Sequence, residues 1–199
     1  MAPRSLTPFC HALGRTHDRI TLWSLPLLTG VVALSTQNLA QTALFSGGFL
    51  FSGWMFGPDL DIHSLPYKRW GPLRWIWLPY RKAMAHRSML SHGPLLGTVF
   101  RILYLATWLL LFVAVGVVCW AQLQSPEDWQ TLALVQMEKG LQRLQQELLR
   151  YPLEALLLFL GLEAGAMSHA LSDWAGSAWK RWRRKRPGTT AAKRRKRQN

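Results

Sequence analysis

Residues 20–58 read ITLWSLPLLTGVVALSTQNLAQTALFSGGFLFSGWMFGP, and no charged side chain interrupts them between Arg19 and Asp59. A single helix of 39 residues would be about 58 Å long, against a bilayer hydrocarbon core of about 30 Å. One crossing is therefore too few. Two crossings of roughly 17 residues fit, with Ser35, Thr36, Gln37 and Asn38 as the polar turn between them. The second run carries Ser46, Gly47, Gly48, Ser52 and Gly53, small residues that let membrane helices approach closely.

Two further runs extend the pattern. Residues 102–120 are almost wholly apolar and form the clearest spanning segment. Residues 152–172 are apolar at 155–162 and then carry Glu163 and His169, with Asp173 just beyond. Ionisable groups at membrane depth are costly and usually face a bundle interior or water. The fourth run is thus read as a spanning helix whose polar end belongs to a site. The link over residues 125–151 reads as an amphipathic interfacial helix, capped by Ser125. Its apolar stripe is Trp129, Leu132, Ala133, Met137, Leu141, Leu144 and Leu148. The predicted fold class is all-α: a membrane bundle of about four transmembrane helices plus one interfacial helix.

Composition agrees. The 199 residues are 49% hydrophobic and 17% charged, with two Cys, which excludes a disordered chain and a disulfide-stapled secreted domain. The formal charge is +14, yet residues 180–197 contain 11 of the 24 Lys and Arg. Removing those leaves only +3 for the rest. The expected organisation is a membrane-embedded domain over 1–179 and a basic, disordered tail over 180–199. The tail is read as a positive-inside signal that also favours anionic lipid, with nucleic acid a less favoured partner.

Basic residues also set an orientation. Arg4, Arg15 and Arg19 precede the first run. Lys68, Arg69, Arg74, Arg81, Lys82, Arg87 and Arg101 lie between the second and third, and the link between the third and fourth is poor in them. This predicts a bacterial inner-membrane protein with both termini in the cytoplasm. Trp70, Trp75, Trp77, Trp174, Trp179 and Trp182 would form the aromatic belt on that side. Arg15, Arg19 and the run after them also have the order of a signal peptide, cleaved near Asn38-Leu39-Ala40; its charged region would be unusually long.

That topology gathers histidines and acids at one level. His17 enters the first segment. Asp59, Asp61 and His63 leave the second, His86 and His92 precede the third, and His169 and Asp173 close the fourth. His169 and Asp173 are four apart and share a helical face. Asp59, Asp61 and His63 alternate and would share one side of an extended strand, which Pro58 favours by discouraging helix at Gly57. Together these are candidate metal ligands, all oxygen or nitrogen. Imidazole favours zinc over magnesium. In a hydrolase of this kind, metal-activated water would attack phosphorus, with Asp61 or Asp173 as base. Arg87 would hold an anionic substrate, and Ser88 and Ser91 would donate to phosphate. The alternative function is non-enzymatic metal binding or transport, with Glu163 on the path. Membrane lipid and a phosphoester substrate are the expected partners; neither substrate nor oligomeric state is encoded legibly.

The segments Gly14-Arg15-Thr16-His17-Asp18, Gly57-Pro58-Asp59-Leu60-Asp61-Ile62-His63 and His86-Arg87-Ser88-Met89-Leu90-Ser91-His92-Gly93-Pro94 resemble a family of uncharacterised, predicted metal-binding membrane proteins common in cyanobacteria. The intervening Arg69-Trp70-Gly71-Pro72-Leu73-Arg74-Trp75-Ile76-Trp77 shares the likeness, which spans roughly residues 14–180. More loosely, the pattern is similar to the LexA-regulated inner-membrane hydrolases, which have Pro-Asp-x-Asp-His and His-Arg-Gly-x-Thr-His-Ser. Here Ile62 intervenes before His63, and Ser88 and Ser91 replace Gly and Thr. More remotely it is similar to zinc-dependent phospholipase C, although that fold's second His-x-x-x-acid helix is missing. These likenesses imply metal-dependent phosphoester hydrolysis.

Overall fold

The computed structural model describes residues 9–84 and 88–185, and every regular element among them is helical. Helix α1 (Phe9–Thr36) and α2 (Leu39–Trp54) form an antiparallel pair. The short α3 (Leu65–Arg69), α4 (Leu78–Ala83) and α5 (Met89–His92) follow, with 3-10 turns at Pro58–Asp61 and Gly71–Trp77. Three long helices complete the chain: α6 (Leu96–Gln124), α7 (Trp129–Arg150) and α8 (Pro152–Lys185).

The turn between α1 and α2 forms where the polar residues stand. Asn38 caps α2, its side chain accepting from the amides of Ala40 and Gln41. Three helices are long and apolar enough to cross a membrane: Asp18–Thr36 of α1, α6, and Pro152–Ser172 of α8. The fourth expected crossing, α2, has only 16 residues, about 24 Å, and falls short of the hydrocarbon thickness. Helix α6 makes the membrane case best. Its most apolar window has a mean hydropathy of 2.5 and no buried residue. An all-round apolar helix that its own protein leaves uncovered is suited to lipid.

Helix α2 packs against both α1 and α8, and small residues set the distance. A Cβ at Gly48 would stand 2.8 Å from the Leu158 carbonyl oxygen. One at Gly165 would stand 2.9 Å from the Gly53 nitrogen, and one at Gly161 would strike the Phe45 backbone. Between α1 and α2, a Cβ at Gly53 would collide with the buried Thr21. Thr29 and Ser46 hydroxyls meet at 2.8 Å across the same seam.

The base of α1 is tied down by charge. Arg69 donates to both carboxylate oxygens of Asp18, at 3.0 and 2.5 Å, and to the Trp54 carbonyl at 2.9 Å. This two-pronged contact joins α1, the end of α2 and α3. Beside it lies an aromatic core of Phe56, Leu60, Tyr67, Ile76, Trp77 and Tyr80, with Tyr104 and Trp108 of α6 packed against it. Trp77 is the hub. It is fully buried, with the rings of Trp70, Tyr80, Tyr104 and Phe56 between 5.1 and 5.8 Å away.

Two expectations are corrected. Trp77 is a core residue, not part of an aromatic belt, because the turn at Gly71–Trp77 folds it inward. The indole N–H of the half-buried Trp70 donates to the Met55 carbonyl at 2.8 Å. Ser125 ends α6 rather than capping α7, whose N-cap is Asp128. The α7 stripe is packed at Trp129, Leu132, Ala133 and Met137, while Leu141, Leu144 and Leu148 are left uncovered by the protein, as an interfacial helix requires. Helix α8 runs to Lys185, and the rest of the expected tail, from residue 186, lies outside the described residues.

Two stability predictions follow from these contacts. Gly161→Ala should cost about 1–3 kcal/mol and lower the melting temperature of the detergent-solubilised protein by several degrees. Gly47→Ala, which meets open space, should leave it unchanged or slightly raised. Asp18→Asn strips the charge facing Arg69 and should cost about 1–2 kcal/mol, read as a lower melting midpoint that high salt no longer moves.

Candidate metal centre

Pro58 starts a 3-10 turn rather than an extended exit. Gly57 before it is extended, with φ −70° and ψ 171°, as the residue before proline favours. From there the chain turns, because Pro58 supplies the φ of a first turn and the apolar Leu60 is driven to full burial. Asp59, Asp61 and His63 consequently do not share one face. Asp61 is buried, Asp59 half-buried and His63 exposed. The expectation of three ligands in extended alternation is overturned at this point.

Asp61 is the best-defined of the expected residues. Its Oδ2 accepts a hydrogen bond of 2.8 Å from the Ser91 hydroxyl, and Ser91 has no exposed surface. Ser91 is brought there by a small turn. Its amide donates to the Ser88 carbonyl at 3.1 Å and to the Ser88 hydroxyl oxygen at 3.2 Å, an arrangement that starts α5. The Ser91 proton is thus committed to Asp61 and does not serve a phosphate as expected. Ser64 fixes the other side of the turn, donating from its hydroxyl to the Asp59 carbonyl at 2.7 Å and capping α3 at the Tyr67 amide.

His63 stands over the Tyr67 ring at 5.2 Å. Partial shielding from water, followed by the positive charges of Arg81, Lys68 and Arg74, holds its pKa below 6.5. The shift favours the uncharged imidazole, the form that binds metals. The phenol of Tyr80, beside Arg101 and Asp61, is pushed up by burial, with the Arg101 charge opposing.

Arg101 and Glu163 complete the surroundings. Arg101, on the first turns of α6, is 1% exposed and donates to the Ser91 carbonyl at 2.8 Å and the Thr98 hydroxyl at 2.9 Å. Glu163 accepts from the Leu95 amide at 3.0 Å. Leu95 has φ 62° and ψ −57°, and the Leu96 amide reaches back to the Pro94 carbonyl at 2.7 Å, a tight γ-turn in a strained region. Pro58, Ser91, Thr98, Arg101 and Glu163 line one small pocket. Glu163 therefore lies level with the start of α6, anchoring a backbone turn.

His86 and Arg87 lie outside the described residues, as do the side chains of His17, His92, His169 and Asp173. Among the described residues no group of three or more His, Cys, Asp or Glu side chains converges as a metal site. Donor chemistry nevertheless fits at Asp61: a buried carboxylate oriented by a hydroxyl is how metal-binding acids are commonly held. Sequence reasoning counted Arg101 only as a basic residue of a link and did not single out Gly161 and Gly165. Their signals were there to read: an arginine within reach of an apolar run, and a small-xxx-small spacing on α8.

No solved structure matches the chain. An uncharacterized protein of Aquifex aeolicus (strain VF5) is 39% identical over 62 residues, which are 31% of this chain and 43% of that protein. The chain thus spans less than half the length of this relative. A family model described as "Uncharacterized metal-binding protein (DUF2227)" matches residues 12–183, which take in the Asp61 turn, the Ser91 turn and α8. The chain belongs to this family of metal-binding proteins.

Proposed function

We propose that the protein binds a divalent metal ion, zinc by donor type, at one membrane face and uses it to hydrolyse phosphoester bonds in a lipid or other membrane-near substrate. The candidate ligands of this reading, three or four to an ion with room for more than one ion, are drawn from Asp59, Asp61, His63, His17, His86, His92, His169 and Asp173, with Arg87 holding the anionic substrate. The face is the cytoplasmic side of a bacterial inner membrane, with both termini inside. Family membership supports the metal. Three helices of membrane-crossing length support the setting.

The observation that carries the reading is Asp61, a carboxylate withdrawn from water and aimed by Ser91 at the end of the bundle. A carboxylate held in one orientation by a neighbouring hydroxyl is the arrangement in which metal-binding acids are commonly found. The likeness of the Pro-Asp-x-Asp and His-x-x-x-Asp spacings to inner-membrane hydrolases and phospholipase C supports the reaction class. When bound, the ion supplies Lewis acidity. The chain's own part is to fix Asp61 through the Ser91 hydroxyl.

Elemental analysis of the full chain, purified in detergent, tests the metal. Wild type should retain about one equivalent or more of zinc or manganese. Asp61→Asn and a His86→Ala, His169→Ala variant should each lose most of it, with affinity reduced tenfold or more. Equal content in all three would overturn the reading. Release of p-nitrophenol from bis(p-nitrophenyl) phosphate, abolished by chelator and restored by metal, tests hydrolysis. A metal-loaded protein inactive on this and on phospholipid would reduce the function to metal binding alone.

A further inference from the structure

The strongest unexplained feature is a buried cation on the first turns of α6. Arg101 is 1% exposed just before the apolar run of α6, and a buried charge is costly unless it is paired and hydrogen-bonded. A residue serving only to orient the chain would face headgroups and water. Arg101 instead turns inward over the Phe56 ring at 5.8 Å and hands its donors to Ser91 and Thr98.

The same Ser91 whose carbonyl takes the Arg101 Nη1 proton gives its own hydroxyl proton to Asp61. A continuous path of hydrogen bonds therefore runs from α6 through α5 to the turn at Pro58–Asp61. Gly97 keeps it open: a Cβ there would stand 2.8 Å from the Ser91 oxygen and 3.4 Å from Arg101 Nη1. The planar guanidinium suits this geometry because its two terminal nitrogens reach the Ser91 carbonyl and the Thr98 hydroxyl at once. A lysine ammonium is a single point of charge.

We infer that Arg101 is a positioning residue for the metal centre: it locks the Ser91 turn so that the serine hydroxyl holds Asp61 in its ligating orientation. This inference rests on the reading of Asp61 as a metal ligand. In that arrangement Arg101 never touches the ion. Its contribution is to affinity, since removing the partner that orients a metal ligand typically weakens binding 10–100-fold.

The test measures zinc affinity of the folded, detergent-purified full chain by competition with a chromophoric chelator, for wild type, Asp61→Asn, Ser91→Ala, Arg101→Lys, Arg101→Gln and the Ser91→Ala, Arg101→Gln double variant. Ser91→Ala removes one oxygen and keeps the fold measurable if the arginine variants do not fold. Ser91→Ala and Arg101→Gln should each weaken zinc about tenfold or more. The double variant should be no weaker than the worse single one, because both act on one path. Arg101→Lys should recover only part of the loss. Wild-type affinity in Ser91→Ala, or additive losses in the double variant, would overturn the inference while leaving Asp61 a ligand. Wild type without zinc, or Asp61→Asn with undiminished zinc, would instead remove the proposed metal centre and this inference with it.

Discussion

At Gly48, Gly161 and Gly165 the backbones of α2 and α8 run against each other with no side chain between them. Helices in lipid gain little from burying apolar surface, because the solvent is equally apolar. Close packing and polar contacts must hold them instead. The glycine seam supplies the first. It also decides where α2 ends relative to α8, and hence where the chain emerges at Gly57. The turn that carries Asp61 starts there. Without that register, the Asp61 turn would not stand opposite the loop that carries Ser91.

The second layer is a cap made of short elements. The 3-10 turns, α3, α4 and α5 are each too short to be stable alone. They hold because Trp77 and its aromatic neighbours fill the space between them and α6, and because Arg69 clamps Asp18. Many of the tryptophans and basic residues that look like membrane-surface decoration in the sequence are therefore spent on internal contacts. Trp77 and Arg101 are the plainest cases: one is the hub of a core, the other a buried donor.

Much of the fold was legible because it is written in charge spacing. The interval from Arg19 to Asp59, the polar turn ending in Asn38, and the apolar run after Ile102 all mark helices the structure contains. Length was harder to read. A run of uncharged residues does not announce that α2 stops at Trp54 and that its small residues serve α8 as well as α1. Period-two alternation at Asp59, Asp61 and His63 misled because local backbone preference at Pro58 and the burial of Leu60 outweighed it. The Ser91–Asp61 pair, thirty residues apart, and its link to Arg101 are tertiary facts with no local pattern. Asp61 itself was legible as a candidate; its holder was not.

The bond from Glu163 to the Leu95 amide joins α8 to the first turn before α6. A carboxylate gripping a single backbone N–H at a constricted bend works as an axial stop. It ties the depth of α8 to the bend from which α6 starts, while Tyr104 and Trp108 tie the next turns of α6 to the Trp77 core. The start of α6 is thereby held from two directions, beside the pocket that Arg101 and Glu163 line.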